Sequence, residues 1–217
     1  MIELKYKGWS KMPINTYQQI REVLKSDDKD DEKTVRLISV LTGLDIDDVM
    51  DLKLVDFERL ANDILFVFTP LPKHHGLFRT LTIDGERYDV QTDFSKITTA
   101  QYMDFNTFYE DPEKYYTNIL TTFILPHGKK YNDGYDASEL AKVFGEKLDI
   151  VTAHNASAFF LTWSANSIKI IQGMYARRVK RMAKREKDPQ RKETLMKIVD
   201  LFQGQRKLID GLTTSMQ

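Results

Sequence analysis

The most constraining feature of this chain is a dipeptide, Asp84-Gly85, set between two short stretches of alternating character. Leu81-Thr82-Ile83 precedes it and Glu86-Arg87-Tyr88-Asp89-Val90 follows. Asp-Gly between alternating stretches is the strongest short-range hairpin signal, a two-residue turn with positive φ at the glycine. The chain is therefore expected to hold an antiparallel pair. Two further stretches read as strands. Ile2, Leu4 and Tyr6 alternate with Glu3, Lys5 and Lys7, and Ile64-Leu65-Phe66-Val67-Phe68 is a strand-sized apolar run. Together these predict a small antiparallel sheet.

The rest of the chain has helical periodicity. Ile14, Tyr17, Ile20, Val23 and Leu24 share one face over residues 13–24. Ser26 to Glu32 reads as an acidic loop, after which Val35, Ile38 and Leu41 place a helix at 34–41. Gly43 is fit for a left-handed helix stop and Asp45 for the cap of the next helix. Ile46, Val49, Met50 and Leu52 fill that helix, and a third follows over 54–62 with Phe57, Leu60 and Ile64 inward. The three have the outline of a helix-turn-helix.

Thr98-Thr99-Ala100-Gln101 and Asp136-Ala137-Ser138-Glu139 both match the capping box, in which a short polar side chain and a Glu or Gln three residues on satisfy each other's backbone donors. They predict helices at 99–109 and 137–147. Asp111-Pro112 predicts another over 112–124. Residues 153–187 contain no proline and one glycine, Gly173, and read as one long helix that stops at Asp188-Pro189, with a last helix from Gln190 to about Phe202. Tyr102, Phe105, Phe108, Tyr109, Phe123, Phe159, Phe160 and Trp163 lie at helical spacing and are first of all core. The expected fold is α+β: predominantly helical, with a small antiparallel sheet near the N-terminal half and a long C-terminal helix. The expected division is an N-terminal α+β domain at 1–95, a helical domain at 96–170 and a basic helical extension at 171–217.

At 217 residues the chain is long enough for a true core, and an apolar share of 41% with 29% charged argues against general disorder. Lysine and arginine balance aspartate and glutamate at 32 each, but the balance is uneven along the chain. Residues 27–63 carry twelve acids against five bases, including Asp27, Asp28, Asp30, Asp31, Glu32, Asp47 and Asp48. Residues 169–207 carry thirteen bases against four acids, with Arg177, Arg178, Lys180, Arg181, Lys184 and Arg185 the densest run. Opposite signs at opposite ends suit head-to-tail self-association or a charged partner. Two solvated helical faces are the plainer alternative.

The chemistry of catalysis is poorly represented. With no cysteine there is no disulfide, thiolate metal site or Cys nucleophile. The histidines, His74, His75, His127 and His154, show no metal-binding spacing, and no phosphate-binding glycine loop or Gly-x-Ser-x-Gly elbow occurs. Pro126-His127-Gly128-Lys129-Lys130 is a weak anion-site candidate, better read as a turn with solvated lysines. The charged stretch Met1–Lys7 is not expected to be a secretory signal, and no segment reaches the ~18 apolar residues of a membrane span. The chain is therefore expected not to be an enzyme and to bind no cofactor, metal or membrane. Non-specific nucleic-acid binding by the basic helix is a competing reading, since such a helix can sit on phosphates. Against it, the segment with helix-turn-helix outline is acidic.

One set of motifs resembles a known group. Thr98-Thr99-Ala100-Gln101-Tyr102-Met103-Asp104 resembles the "T-x-x-Q-Y-x-D" helix start of tailed-bacteriophage morphogenesis proteins. The order Ile119 to Leu125, Pro126, Gly128-Lys129-Lys130-Tyr131, then Tyr135-Asp136, is similar to their apolar helix, Pro, Gly-Lys-x-Tyr and Tyr-Asp pattern. Leu41-Thr42-Gly43-Leu44-Asp45, Leu52, Leu54 and the Phe159-Phe160 pair also fit, so the resemblance spans roughly residues 35–165. It implies a structural subunit of a virion tail or neck ring, or a tail assembly chaperone. It also implies partners among its own copies and other virion proteins, and a location in the virion and in the host cytoplasm during assembly. It implies no catalytic residue.

Overall fold

A computed structural model describes residues 2–73, 79–93, 96–112, 114–156, 179–186, 188–191, 193–194 and 196–197. The fold is α+β, with helices dominant and a three-stranded antiparallel sheet among the described residues. Contacts divide the chain into two units, Met1–Ser157 and Ala158–Gln217. The expected boundary at 95 and 96 runs through the first unit, where the sheet and the core draw on residues from both sides of it.

The first unit begins with four helices: α1 (Ile14–Lys25), α2 (Asp30–Thr42), α3 (Ile46–Met50) and α4 (Leu54–Asp63). Helix α2 starts earlier than the sequence predicts. Asp30, Asp31 and Glu32 form its first turn instead of belonging to a loop, and carboxylates there are favoured by the exposed N–H groups and the helix dipole. Gly43 stops α2 at φ 79°, donating its N–H to the Ser39 carbonyl at 2.7 Å, as a left-handed stop requires. Asp45 stands at the N-cap of α3 in extended conformation, but its side chain accepts no capping bond.

Two expected strands are absent. Residues 2–7 keep an alternating pattern of burial, with Leu4 in the core, but pair with no strand. Their backbone serves helix ends and side chains instead: the Lys5 N–H donates to the Leu41 carbonyl at 2.8 Å and the Ile2 carbonyl accepts from Arg59 Nη2 at 2.8 Å. Ile64–Phe68 is a 3-10 helix. Only Ile64 and Val67 are buried there, and a spacing of three fits the threefold period of that helix. Phe66 meets the Trp9 ring edge-on, and Trp9 Nε1 donates to the Thr69 carbonyl at 3.1 Å.

The hairpin forms as expected from β1 (Thr80–Ile83) and β2 (Glu86–Val90), with φ 50° at Asp84 and 83° at Gly85. Helix α5 (Thr99–Tyr109) has its full capping box: Thr98 Oγ1 accepts from Gln101 N at 3.2 Å, and Gln101 Oε1 accepts from Thr98 N at 3.0 Å. The helix expected over 112–124 is shorter, α6 (Tyr116–Thr121), and the chain then enters β3 (Ile124–Pro126), which pairs antiparallel with β2. Helix α7 (Ala137–Lys147) is capped by the Asp136 carboxylate, which accepts from the N–H groups of Ser138 and Glu139. Phe105, Phe123, Leu120, Ile124 and Phe144 are buried around this half of the sheet. A two-residue bridge joins the unit's start to its end. Ile14 N donates to the Leu148 carbonyl and Ile150 N to the Met12 carbonyl, at 3.2 and 2.7 Å.

In the second unit, residues 179–185 and 189–191 are helical. Between them Asp188 caps the later stretch, accepting from Gln190 N at 2.8 Å, so the expected break at Asp188-Pro189 is present. The greater part of the long helix expected over 153–187, Phe159, Phe160, Trp163, and the end of the last helix lie outside the described residues.

Candidate protein-binding site

Helices α2, α3 and α4 enclose a surface groove of about 720 Å³. Its origin is the brevity of α3. A five-residue helix turns only one narrow face inward, so Val49 is buried while Ile46 and Met50, expected to pack with it, are 50% and 67% exposed. Leu54 at the start of α4 is 70% exposed. With Val35, Leu52 and Phe57 these side chains give the groove an apolar lining. Fully covering one such side chain is worth about 1.5–3 kcal/mol.

One wall is charged. Asp28, Asp31, Glu32 and Arg36 line the groove from the start of α2. Asp28 pairs with Arg36 and accepts from Ser26 Oγ at 2.9 Å. The Ser26 hydroxyl, then the Arg36 guanidinium, hold the Asp28 carboxyl below the usual carboxylate range. Arg36 is thus matched within the wall, and Asp31 and Glu32 are left as its exposed anions. Among the described residues Asp31 Oδ1 accepts only the local Glu32 N–H, at 3.0 Å, and Glu32 lies 3.4 Å from the Lys29 N–H. Of the acidic residues singled out in the sequence, Asp28, Asp31 and Glu32 line the groove, whereas Asp27, Asp30, Asp47 and Asp48 do not. The apolar half of the site was missed by the sequence reading, which placed Ile46 and Met50 within their helix without separating buried from exposed faces.

In the second unit Lys180, Arg181, Lys184 and Arg185 are all exposed on the helical residues 179–185. No ion pair engages any of the four among the described residues. Ala183 is buried and Val179 half-buried, while Met182 is 54% exposed. Helical spacing sets Arg181, Met182 and Arg185 together on the open side. Arg177 and Arg178 lie outside the described residues.

The remaining sequence candidates resolve into structure. Asp89 accepts from the Gly128 N–H at 3.0 Å and lies 2.9 Å from His127 Nδ1. That bond to Gly128, followed by the one to His127, lowers the Asp89 carboxyl. The loop donor that an anion would need is thus occupied by a carboxylate. His154 is half-buried, and burial, reinforced by the Lys73 charge, pushes its imidazole down. His74 and His75 lie outside the described residues. Among the described residues no three His, Asp or Glu side chains gather as metal ligands, and no helix is long and apolar enough to cross a membrane. The residues that carry the phage resemblance hold structural bonds. Tyr131 Oη donates to Asp104 Oδ2 at 2.6 Å, with burial and then Asp104 raising the phenol, and Gln101 Nε2 donates to the Thr122 carbonyl at 3.0 Å. No family model matches the chain, and no curated protein or solved structure proves similar to it.

Proposed function

We propose that this chain is a non-enzymatic assembly protein that works by binding other proteins through the α2–α4 groove. In the reading we favour it is a structural subunit of a tailed-phage virion, in the tail or neck ring. It would associate with its own copies and with other virion proteins, in the virion and in the host cytoplasm during assembly. A tail assembly chaperone is the alternative within the same class. The long C-terminal helix over 153–187 belongs to this proposal, as the arm that reaches a neighbour. The observation that carries it is the groove: Ile46, Met50 and Leu54 open to solvent beside a wall of carboxylates. A monomer gains nothing from leaving these side chains in water, whereas a subunit recovers that free energy on association.

The test is light scattering on the purified chain over a range of concentrations, with Leu54→Glu alongside. Concentration-dependent self-association that Leu54→Glu weakens by roughly tenfold or more, the equivalent of one apolar side chain left uncovered, is expected. A chain that stays monomeric, or a variant that assembles as well as the parent, removes the groove from the account. Non-specific nucleic-acid contact is the second reading, supported by the four exposed cations at 180–185. It predicts binding to random-sequence DNA that falls steeply with salt.

A further inference from the structure

We infer that the occupant of the α2–α4 groove is the basic helical segment 179–185 of a second copy of the same chain, an inference that rests on the assembly reading above. The two surfaces match in kind. The groove offers an apolar lining with open Asp31 and Glu32 carboxylates on one wall. The segment offers one exposed apolar side chain, Met182, flanked on its open side by Arg181 and Arg185. A thioether side chain is flexible and polarisable, and so adapts to an irregular apolar lining such as that to which Met50 and Leu54 contribute. A guanidinium presents a planar fork that pairs with a carboxylate through two parallel bonds, stronger than a neutral hydrogen bond. Seven helical residues extend about 10 Å, so the segment is short enough to lie across three small helices.

Charge also selects this occupant over an apolar or acidic one. The groove's carboxylates repel an acidic partner, and an uncharged helix would strip water from Asp31 and Glu32 without replacing it. On the segment itself, Lys180 with Lys184 and Arg181 with Arg185 are like charges four residues apart, a mutual repulsion that an anionic surface relieves. Donor and acceptor are different patches of one chain, so the contact is heterologous. It closes reciprocally in a dimer or propagates into a ring or filament, as a repeated subunit requires.

The test uses two full-length variants that each disable one patch at exposed positions. The groove variant carries Asp31→Lys and Met50→Lys, and the helix variant carries Arg181→Glu, Lys184→Glu and Arg185→Glu. Circular dichroism and melting first establish that both fold as the parent does. Sedimentation is then followed for each variant alone and for an equimolar mixture. Each alone should associate at least roughly tenfold more weakly than the parent. The mixture should recover one contact per pair, because the intact helix of the first variant meets the intact groove of the second, and should stop at a one-to-one complex. Parent-like association of either variant alone overturns the inference while leaving the assembly reading intact. So does a mixture that stays dissociated, which assigns the groove to another partner. A parent chain that never self-associates overturns both. Loss of random-DNA binding in the helix variant, with self-association unchanged, overturns the inference and assigns those cations to nucleic acid.

Discussion

Gln101 ties the start of α5 to Thr122 at the end of α6, and its replacement should be costly in a way that can be worked out. It is 3% exposed. Its Oε1 accepts the Thr98 N–H at 3.0 Å and its Nε2 donates to the Thr122 carbonyl at 3.0 Å. Gln101→Leu keeps the volume and helix propensity but removes both bonds. The Thr98 N–H belongs to an exposed residue and recovers water. Thr122 is fully buried, so its carbonyl loses this donor where no solvent can replace it. Leaving a buried polar group unsatisfied costs about 1–3 kcal/mol, and the added apolar burial offsets part of that, for a net loss of about 2 kcal/mol. In a domain of this size the melting temperature should fall by about 4–8 °C. Gln101→Glu should cost more, since a carboxylate would face the Thr122 carbonyl with no proton to donate. Denaturant melts of wild type, Gln101→Leu, Thr98→Ala and the double variant give the coupling. It should reach about 0.5 kcal/mol or more, because one capping box links the two residues. A Gln101→Leu chain within about 0.5 kcal/mol of wild type would show that the Thr122 contact carries no weight.

Two further predictions concern the turn and His154, which is half-buried. Gly85 sits at φ 83°, so Gly85→Val should lower stability by about 1 kcal/mol or more in a melt; an unchanged melt contradicts the turn. His154 has its imidazole lowered by burial and by Lys73, so the unfolded chain takes up its proton first. The contribution of this group is fully present above the ordinary value of 6.5 and declines as pH falls through and below it. His154→Gln should flatten the stability profile between about pH 7 and pH 5, and an identical profile in the variant would exclude the burial argument.

What the sequence made legible was local. Asp84-Gly85, the Thr98–Gln101 box, the Asp136 cap and the Gly43 stop each encode their geometry within four residues, and each appears where the chain predicts it. What it hid was long-range. Nothing within residues 2–7 says that the Lys5 N–H will be taken by the Leu41 carbonyl instead of by a strand. The run Ile64–Phe68 is apolar throughout, and only burial at Ile64 and Val67 distinguishes a 3-10 turn from a strand. Pro112 promised a helix to 124, yet Ile124 pairs with Val90, far off in sequence, and becomes a strand. The candidate site divides in the same way. Its acids stand out as a charge run, but its apolar residues look like ordinary core until a short α3 leaves Ile46 and Met50 in solvent.

Hydrogen–deuterium exchange on the whole chain, compared between a dilute and a concentrated solution, locates the surfaces that association covers. Association should slow exchange across residues 46–57 and 181–185 together, high salt should reverse both through screening of the charge pairs, and the β1–β2 hairpin should exchange alike in the two states. Association that leaves residues 46–57 exchanging at the dilute rate, with new protection elsewhere, would contradict it.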